Sequence, residues 1–186
     1  MRCFIALDMP EAIKDSIGAI IEKIMVSARG VRWVPPLNLH MTLKFLGEVN
    51  EESVPAIKAA LSEVAVRSAP FSVTVRGAGA FPNPKHPNIL WIGMEGPEEL
   101  KMLYRGIDDA MSGLGFKREN RDFSPHITIG RVKDKKGIEP VIKELDNFRD
   151  ASFGSVEVRE VLLMKSELKQ AGAEYSKVAV FKLSGL

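Results

Sequence analysis

Several features that particular classes of protein require are scarce or missing in this sequence. A single cysteine, Cys3, excludes an internal disulfide. No apolar run approaches the ~20 residues that a helix needs to cross a bilayer, and residues 1–6 lack the charged region and long apolar core of a signal peptide. Lysine and arginine (26) nearly balance aspartate and glutamate (24), so the net charge of +2 predicts no polyanion binding by itself. We therefore expect a cytoplasmic protein without membrane attachment.

Histidine is also scarce, and two of the three histidines occupy matching positions. Residues 40–43 (HMTL) and 126–129 (HITI) each consist of a histidine, an apolar residue, a threonine and a second apolar residue. Both segments begin an apolar run that is typical of a strand. Because successive side chains of a strand point to opposite faces, each histidine shares its face with the threonine, and the two apolar residues share the other. This pattern predicts two strands that bury one side and present an imidazole and a hydroxyl on the opposite side.

The remainder of the chain predicts an α+β fold, because strands are mixed with about four helices and several strands are adjacent in sequence. Helices are expected over residues 11–25, 51–66, 97–114 and 138–148. Besides the motif strands 40–46 and 126–132, strands are expected over residues 2–7, 31–34, 71–75, 89–94, 156–165 and 177–183. Loops are expected over residues 77–86 and 166–176. The two motifs suggest two lobes facing a shared cleft, and the lobes need not be the N- and C-terminal halves.

Paired acid–base chemistry fits these histidines better than its alternatives. Zinc sites take three or four ligands, often with a closely spaced pair, and this sequence has no such pair of histidines. His86 lies in a Pro-Lys-His-Pro turn, so the sequence does not favour a metal site. Neither a Gly-x-Ser-x-Gly motif nor a phosphate-binding loop with its lysine is present. Imidazole has an ordinary pKa near ~6.5, so one histidine can accept a proton from water while the other gives one to a leaving oxygen. In-line displacement places the nucleophile and the leaving group on opposite sides of phosphorus. Two histidines from opposing lobes suit this geometry.

Other residues near the motifs allow two interpretations each. Residues 117–136 carry seven basic and three acidic side chains, which describes a solvated surface or one that favours a phosphate-bearing substrate. Trp33 either stacks on a base or belongs to the core, whereas Trp91, between Leu90 and Ile92, is expected in the core. Strict alternation places Lys44 on the face of the first histidine, where it is solvated or meets phosphate.

Two longer segments resemble a known family, the two-histidine (2H) phosphoesterases, in the branch of the RNA 2′,3′-cyclic phosphodiesterases, also called 2′-5′ RNA ligases. The first is residues 32–47, RWVPPLNLHMTLKFLG, and the second is residues 123–131, FSPHITIGR. Residues 4–7, FIAL, and the chain length are also similar to this family. The resemblance covers essentially the whole chain, and two such motifs with these flanks are highly specific.

The resemblance implies a single bilobal catalytic domain over residues 1–186, with one motif in each lobe. Two antiparallel sheets would line a central cleft, with helices on the outside. The implied activity is RNA processing by a hydrolase that opens 2′,3′-cyclic phosphates to 2′-phosphates without a metal or other cofactor. By the same resemblance, His40 is the proton donor and His126 the proton acceptor. Thr42 and Thr128 bind the phosphate, with Arg131 as a charged partner if a bulge or a strand end at Gly130 turns it to the histidine side.

Three functions remain open at this point. The first is the phosphodiesterase, acting as a monomer on RNA with 2′,3′-cyclic phosphate ends or on cyclic nucleotides, with no obligate protein partner. The second is a 2′-5′ RNA ligase that uses the same residues, with a 5′-hydroxyl in place of water. The third is a module that binds nucleotides or RNA ends without turnover.

Overall fold

Nine strands and four α-helices follow one another in the computed structural model, which describes residues 1–26, 29–169 and 172–186. The strands are β1 (Arg2–Asp8), β2 (Val31–Trp33), β3 (His40–Glu48), β4 (Phe71–Phe81), β5 (Ile89–Glu95), β6 (His126–Val132), β7 (Ser152–Val158), β8 (Glu160–Lys169) and β9 (Gly172–Lys182). The helices are α1 (Glu11–Met25), α2 (Val54–Arg67), α3 (Glu98–Gly113) and α4 (Glu139–Asp146). Short 3₁₀ turns cover Pro36–Asn38 and Glu51–Ser53.

All strand pairs are antiparallel, and the strand order in the sheet is β7-β4-β5-β6-β3-β1-β8-β9. The short strand β2 stands outside this order and pairs with β6. Within the described residues, β3 and β6 are joined by a single residue pair, Met41 with Ile127. This pair divides the sheet into a His40 half (β3, β1, β8, β9) and a His126 half (β6, β5, β4, β7). The α+β prediction is confirmed. The His126 half is inserted between the two parts of the His40 half, which combines the first two long strands with the last two.

One face of the sheet packs against the helices and forms the hydrophobic core. The apolar residues of both motifs lie on this face: Met41, Leu43, Ile127 and Ile129 are at most 3% exposed. The same core cluster receives Ile17 from α1, Ile57 from α2, Leu103 from α3 and Val141 from α4. The motif histidines and threonines are half-buried on the opposite face, which we call the histidine face. The predicted division of each motif between two faces is therefore confirmed.

The prediction of a loop over residues 77–86 is wrong in its first half, because β4 continues to Phe81. Gly77 adopts a φ of +79° at a register slip against β5, a β-bulge conformation that favours glycine. A Cβ atom on Gly79 would lie 2.4 Å from Cζ2 of Trp91. These glycines permit a bulge and a close approach between strands, which the sequence pattern does not distinguish from a loop.

The prediction of a loop over residues 166–176 is also wrong, because β8 and β9 pair from Glu160–Lys182 to Lys169–Gly172. Gln170 and Ala171, in the same predicted loop, lie outside the described residues. The far end of this ribbon is exposed and carries the ion pairs Lys165–Glu167 and Lys169–Glu174. The exposure of these charged side chains accounts for the polar composition of the segment. The single strand predicted over 156–165 is two strands, β7 and β8, which separate at Arg159.

No helix in the described part of the chain is both long enough and apolar enough to cross a membrane.

Candidate active site

Each motif strand contains a β-bulge at the fourth motif residue. Pairing with β1 skips Leu43, and pairing with β5 skips Ile129. One extra residue in a strand reverses the faces to which the next side chains point. The duplication of the two motifs therefore extends to their backbone irregularity.

The first bulge moves Lys44 to the core side of the sheet. Its side chain is only 6% exposed and forms an ion pair with Asp108 of α3. The prediction that Lys44 shares the face of the first histidine, solvated or meeting phosphate, is wrong. Phe45 takes that face instead: it is 65% exposed, and its ring centroid lies 6.2 Å from that of Phe4.

The second bulge returns Arg131 to the histidine face. Strict alternation would turn Arg131 toward the core. Because the pairing with β5 skips Ile129, Arg131 points to the opposite face instead. Arg131 is exposed, and its positive charge contributes to lowering the pKa of both His40 and His126. The structure thus brings this arginine within electrostatic range of both imidazoles.

The two imidazoles are held in the same way. Nδ1 of His40 donates to the carbonyl of Asn38 at 2.7 Å, and Nδ1 of His126 donates to the carbonyl of Ser124 at 2.7 Å. A carbonyl only accepts, so the Nδ1 atoms carry protons and the Nε2 atoms are available for proton transfer. Nε2 of His40 also lies 3.1 Å from the hydroxyl oxygen of Thr42.

Burial is the main cause that lowers the pKa of both histidines below the ordinary value, because it disfavours the charged imidazolium. The hydrogen bonds to Asn38 and Ser124 act in the opposite direction, since they stabilise the protonated ring. At His40 the carboxylate of Asp8 also raises the pKa. Both imidazoles are therefore held in a range where the ring loses a proton readily.

Asp8 is the direct cross-strand partner of His40 between β1 and β3. Its carboxylate forms ion pairs with Lys14 at 2.7 Å and with Lys177 at 3.3 Å. Burial alone would raise the pKa of Asp8, but its bonds to these two lysines bring it below the ordinary value. The corresponding partner of His126 is Gly93, so the His126 half has no carboxylate there. Sequence reasoning missed these charged groups, because three separate elements bring them together.

Aromatic rings pack against both histidines. The ring of Phe4 lies 4.9 Å from His40 between centroids, and Tyr175 meets the same imidazole edge-on at 5.2 Å. Phe81 meets His126 edge-on at 4.9 Å. These rings pack against the imidazoles and contribute to the burial that lowers the two pKa values.

The two tryptophans occupy opposite sides of the sheet. Trp91 pairs with Thr128 and packs against Phe81 on the histidine face, so its assignment to the core is wrong. Its indole nitrogen is buried and has no partner among the described residues. Trp33 pairs with Gly130 and packs against the hydrophobic core, which supports the core interpretation of that residue over base stacking.

The arrangement places two imidazoles, each held through Nδ1, two hydroxyls and one guanidinium on one face of the sheet. His86, the third histidine, is exposed in a turn and stands outside this arrangement. No cluster of three metal-binding side chains occurs in residues 1–26, 29–169 and 172–186. Such an arrangement can carry out paired acid–base chemistry.

Comparison with known proteins places this chain in a family. The model of the family described as LigT like Phosphoesterase matches residues 7–91 and again residues 92–175, one motif in each match. An RNA 2′,3′-cyclic phosphodiesterase from Methanothermobacter thermautotrophicus is 36% identical over 98% of this chain and 99% of its own length. One from Archaeoglobus fulgidus is 39% identical over 98% and 100%. The crystal structure of a Thermus thermophilus protein, 31% identical, superposes with a TM-score of 0.81 over 100% and 99% of the two chains. The chain belongs to the LigT-like phosphoesterase family, which confirms the resemblance to two-histidine phosphoesterases.

Proposed function

We propose that this protein is an RNA 2′,3′-cyclic phosphodiesterase that opens the cyclic phosphate to a 2′-phosphate. The observation that carries the proposal is the matched pair of imidazoles, each fixed through Nδ1 with Nε2 available. The relatives that bear this activity in their names match the chain over nearly its whole length. We further propose that residues 1–186 act as one catalytic domain, as a monomer in the cytoplasm, on RNA ends or cyclic nucleotides.

In the proposed reaction, neutral His126 accepts a proton from water through Nε2, and the water oxygen attacks phosphorus. The bond from phosphorus to the 3′ oxygen breaks, and protonated His40 gives its Nε2 proton to that oxygen. A 2′-phosphate and a 3′-hydroxyl result. Asp8 supports this assignment of roles, because its carboxylate favours the protonated form of His40 and has no counterpart opposite His126.

Thr42, Thr128 and Arg131 are proposed to bind the non-bridging phosphate oxygens. The hydroxyls share a face with the two imidazoles, and the guanidinium adds positive charge there, where negative charge accumulates during attack. Since the strain of the cyclic ester already favours opening, the proposed mechanism assigns no step to a metal ion.

The test of this function is incubation of the purified protein with a 2′,3′-cyclic nucleotide and with RNA bearing a 2′,3′-cyclic end, both in EDTA. Phosphorus NMR distinguishes 2′- from 3′-phosphate. We expect 2′-phosphate from both substrates and no turnover of a 3′,5′-cyclic nucleotide, which lacks the strained five-membered ring. A 3′-phosphate product would show that the 2′ oxygen, and not the 3′ oxygen, is the leaving group. An unchanged cyclic substrate would favour the ligase or the binding module. RNA carrying a 5′-hydroxyl would then distinguish these two, because only the ligase joins it to the cyclic end.

The pH dependence tests the role of Asp8. Substitution Asp8→Asn removes the carboxylate that raises the pKa of His40 and leaves Lys14 and Lys177 unneutralised, so both effects lower that pKa further. Because His40 must be protonated to donate, the alkaline limb of the kcat/KM profile should move to lower pH, while the acidic limb set by His126 stays in place.

The matched control for this shift is Glu98→Gln, which neutralises an exposed carboxylate of α3 and should leave both limbs unchanged. If only the acidic limb moved in Asp8→Asn, His40 would be the base and His126 the acid, the reverse of the proposed roles. An unchanged profile would remove Asp8 from the mechanism.

A further inference from the structure

A buried ion pair connects the first motif strand to the segment that leads into the second motif. Lys44 and Asp108 are paired with side chains 6% and 11% exposed. Nζ of Lys44 also donates to the carbonyl of Lys117 at 2.8 Å, and the carboxylate of Asp108 accepts from the backbone N–H of Glu119 at 3.2 Å. Both charged groups therefore bind the backbone of residues 117–119.

The same helix holds this segment at a second point. The ring of Phe123 stacks on Tyr104 of α3, with centroids 4.0 Å apart and planes 15° from parallel. Tyr104 and Asp108 are one helical turn apart. The residue after Phe123 is Ser124, whose carbonyl accepts the hydrogen bond from Nδ1 of His126. The path from the ion pair to the second imidazole is thus short and consists of named contacts.

We propose that Lys44 and Asp108, the Lys44–Asp108 clamp, are positioning residues that set the orientation of His126 relative to the first motif. The duplication supports a specific role, since the residue four positions after the second histidine is Gly130 and this half of the sheet has no equivalent lysine. The bulge at Leu43 is what turns Lys44 toward α3. The proposal rests on the proposed function where it concerns catalysis.

Stability alone is a weak reason for such a pair, because apolar residues of similar volume often replace buried ion pairs without loss. Apolar side chains cannot, however, bind the Lys117 carbonyl and the Glu119 amide. Replacing both charges together therefore separates the two roles. A purely structural pair can be exchanged without effect on turnover, whereas a positioning pair cannot.

The experiment compares the wild type with Lys44→Met/Asp108→Leu. We expect similar urea unfolding midpoints, a kcat on a 2′,3′-cyclic nucleotide lower by roughly 10–100-fold, and a smaller change in KM. Without substrate, the imidazole nitrogen shifts should show that His126 has lost part of its Nδ1–H tautomer, while those of His40 stay unchanged. The control pair Glu98→Gln/Lys101→Met, exposed on the same helix, should match the wild type in every measurement.

A wild-type kcat together with an unchanged His126 tautomer in the double variant would overturn the proposal. If that variant does not fold, Phe123→Ala tests the same segment from its second contact. It should produce the same tautomer change at His126, and an unchanged tautomer would be contrary to the proposal. Inactivity of the wild type on cyclic phosphates would contradict the proposed function alone, because the nitrogen shifts are read without substrate.

Discussion

Substitution of His40 or His126 by alanine should lower kcat on a 2′,3′-cyclic nucleotide by about 10²–10⁴-fold each, the usual contribution of one general acid or base. The double variant should be little worse than either single variant, because the two proton transfers belong to one displacement. The fold should persist, since both imidazoles are half-buried on the face of the sheet opposite the hydrophobic core. Rates from initial velocities, with circular dichroism for the fold, provide the measurement.

His86→Ala is the matched control for these variants. His86 is exposed in a turn, so its removal should leave kcat and the unfolding midpoint unchanged. A folded His40→Ala or His126→Ala variant with the wild-type rate would refute the two-histidine mechanism.

Substitution Lys44→Met alone should lower the free energy of unfolding by about 3–5 kcal/mol, because it leaves the carboxylate of Asp108 buried without its main cation. Arg118 compensates only in part, since its side chain is 57% exposed and its guanidinium nitrogen lies 3.8 Å from that carboxylate. Urea denaturation followed by circular dichroism measures the loss.

The comparison variant is Lys101→Met, which breaks an exposed ion pair with Glu98 on the same helix. It should change the free energy of unfolding by less than about 0.5 kcal/mol. A loss of similar size in the two lysine variants would show that Lys44 is not buried with Asp108 as described.

The limits of sequence reasoning are clearest in the two motif strands. Alternation correctly placed the histidines, the threonines and the apolar residues up to the fourth motif position. Beyond it, alternation failed for Lys44, and for Arg131 only an assumed bulge placed the side chain. Both bulges arise from the register in which β3 pairs with β1 and β6 with β5. Register depends on residues far away in the chain, so local periodicity does not contain it.

The aromatic residues illustrate a second limit. Trp91 lies between two apolar residues, which is typical of the core, yet alternation along β5 turns it away from Leu90 and Ile92 to the histidine face, where Gly79 on the neighbouring strand leaves room for its ring. Trp33 has a polar neighbour and packs against the core. The apolar composition around Trp91 therefore did not decide its face, whereas alternation along the strand did, and the small residue across the strand made room for the ring.

The sequence by itself determined the chemistry of this protein: two histidines and two threonines at matching strand positions, the α+β class, and the family to which the flanking residues belong. Strand character and facing depend on local steric preferences and period-two alternation, which the sequence expresses directly. Only the tertiary structure decided which charges surround the imidazoles. Asp8, Lys14 and Lys177 come from β1, α1 and β9, and Lys44 reaches Asp108 across 64 residues. Such contacts are set by strand register and helix packing, and those are properties of the whole chain.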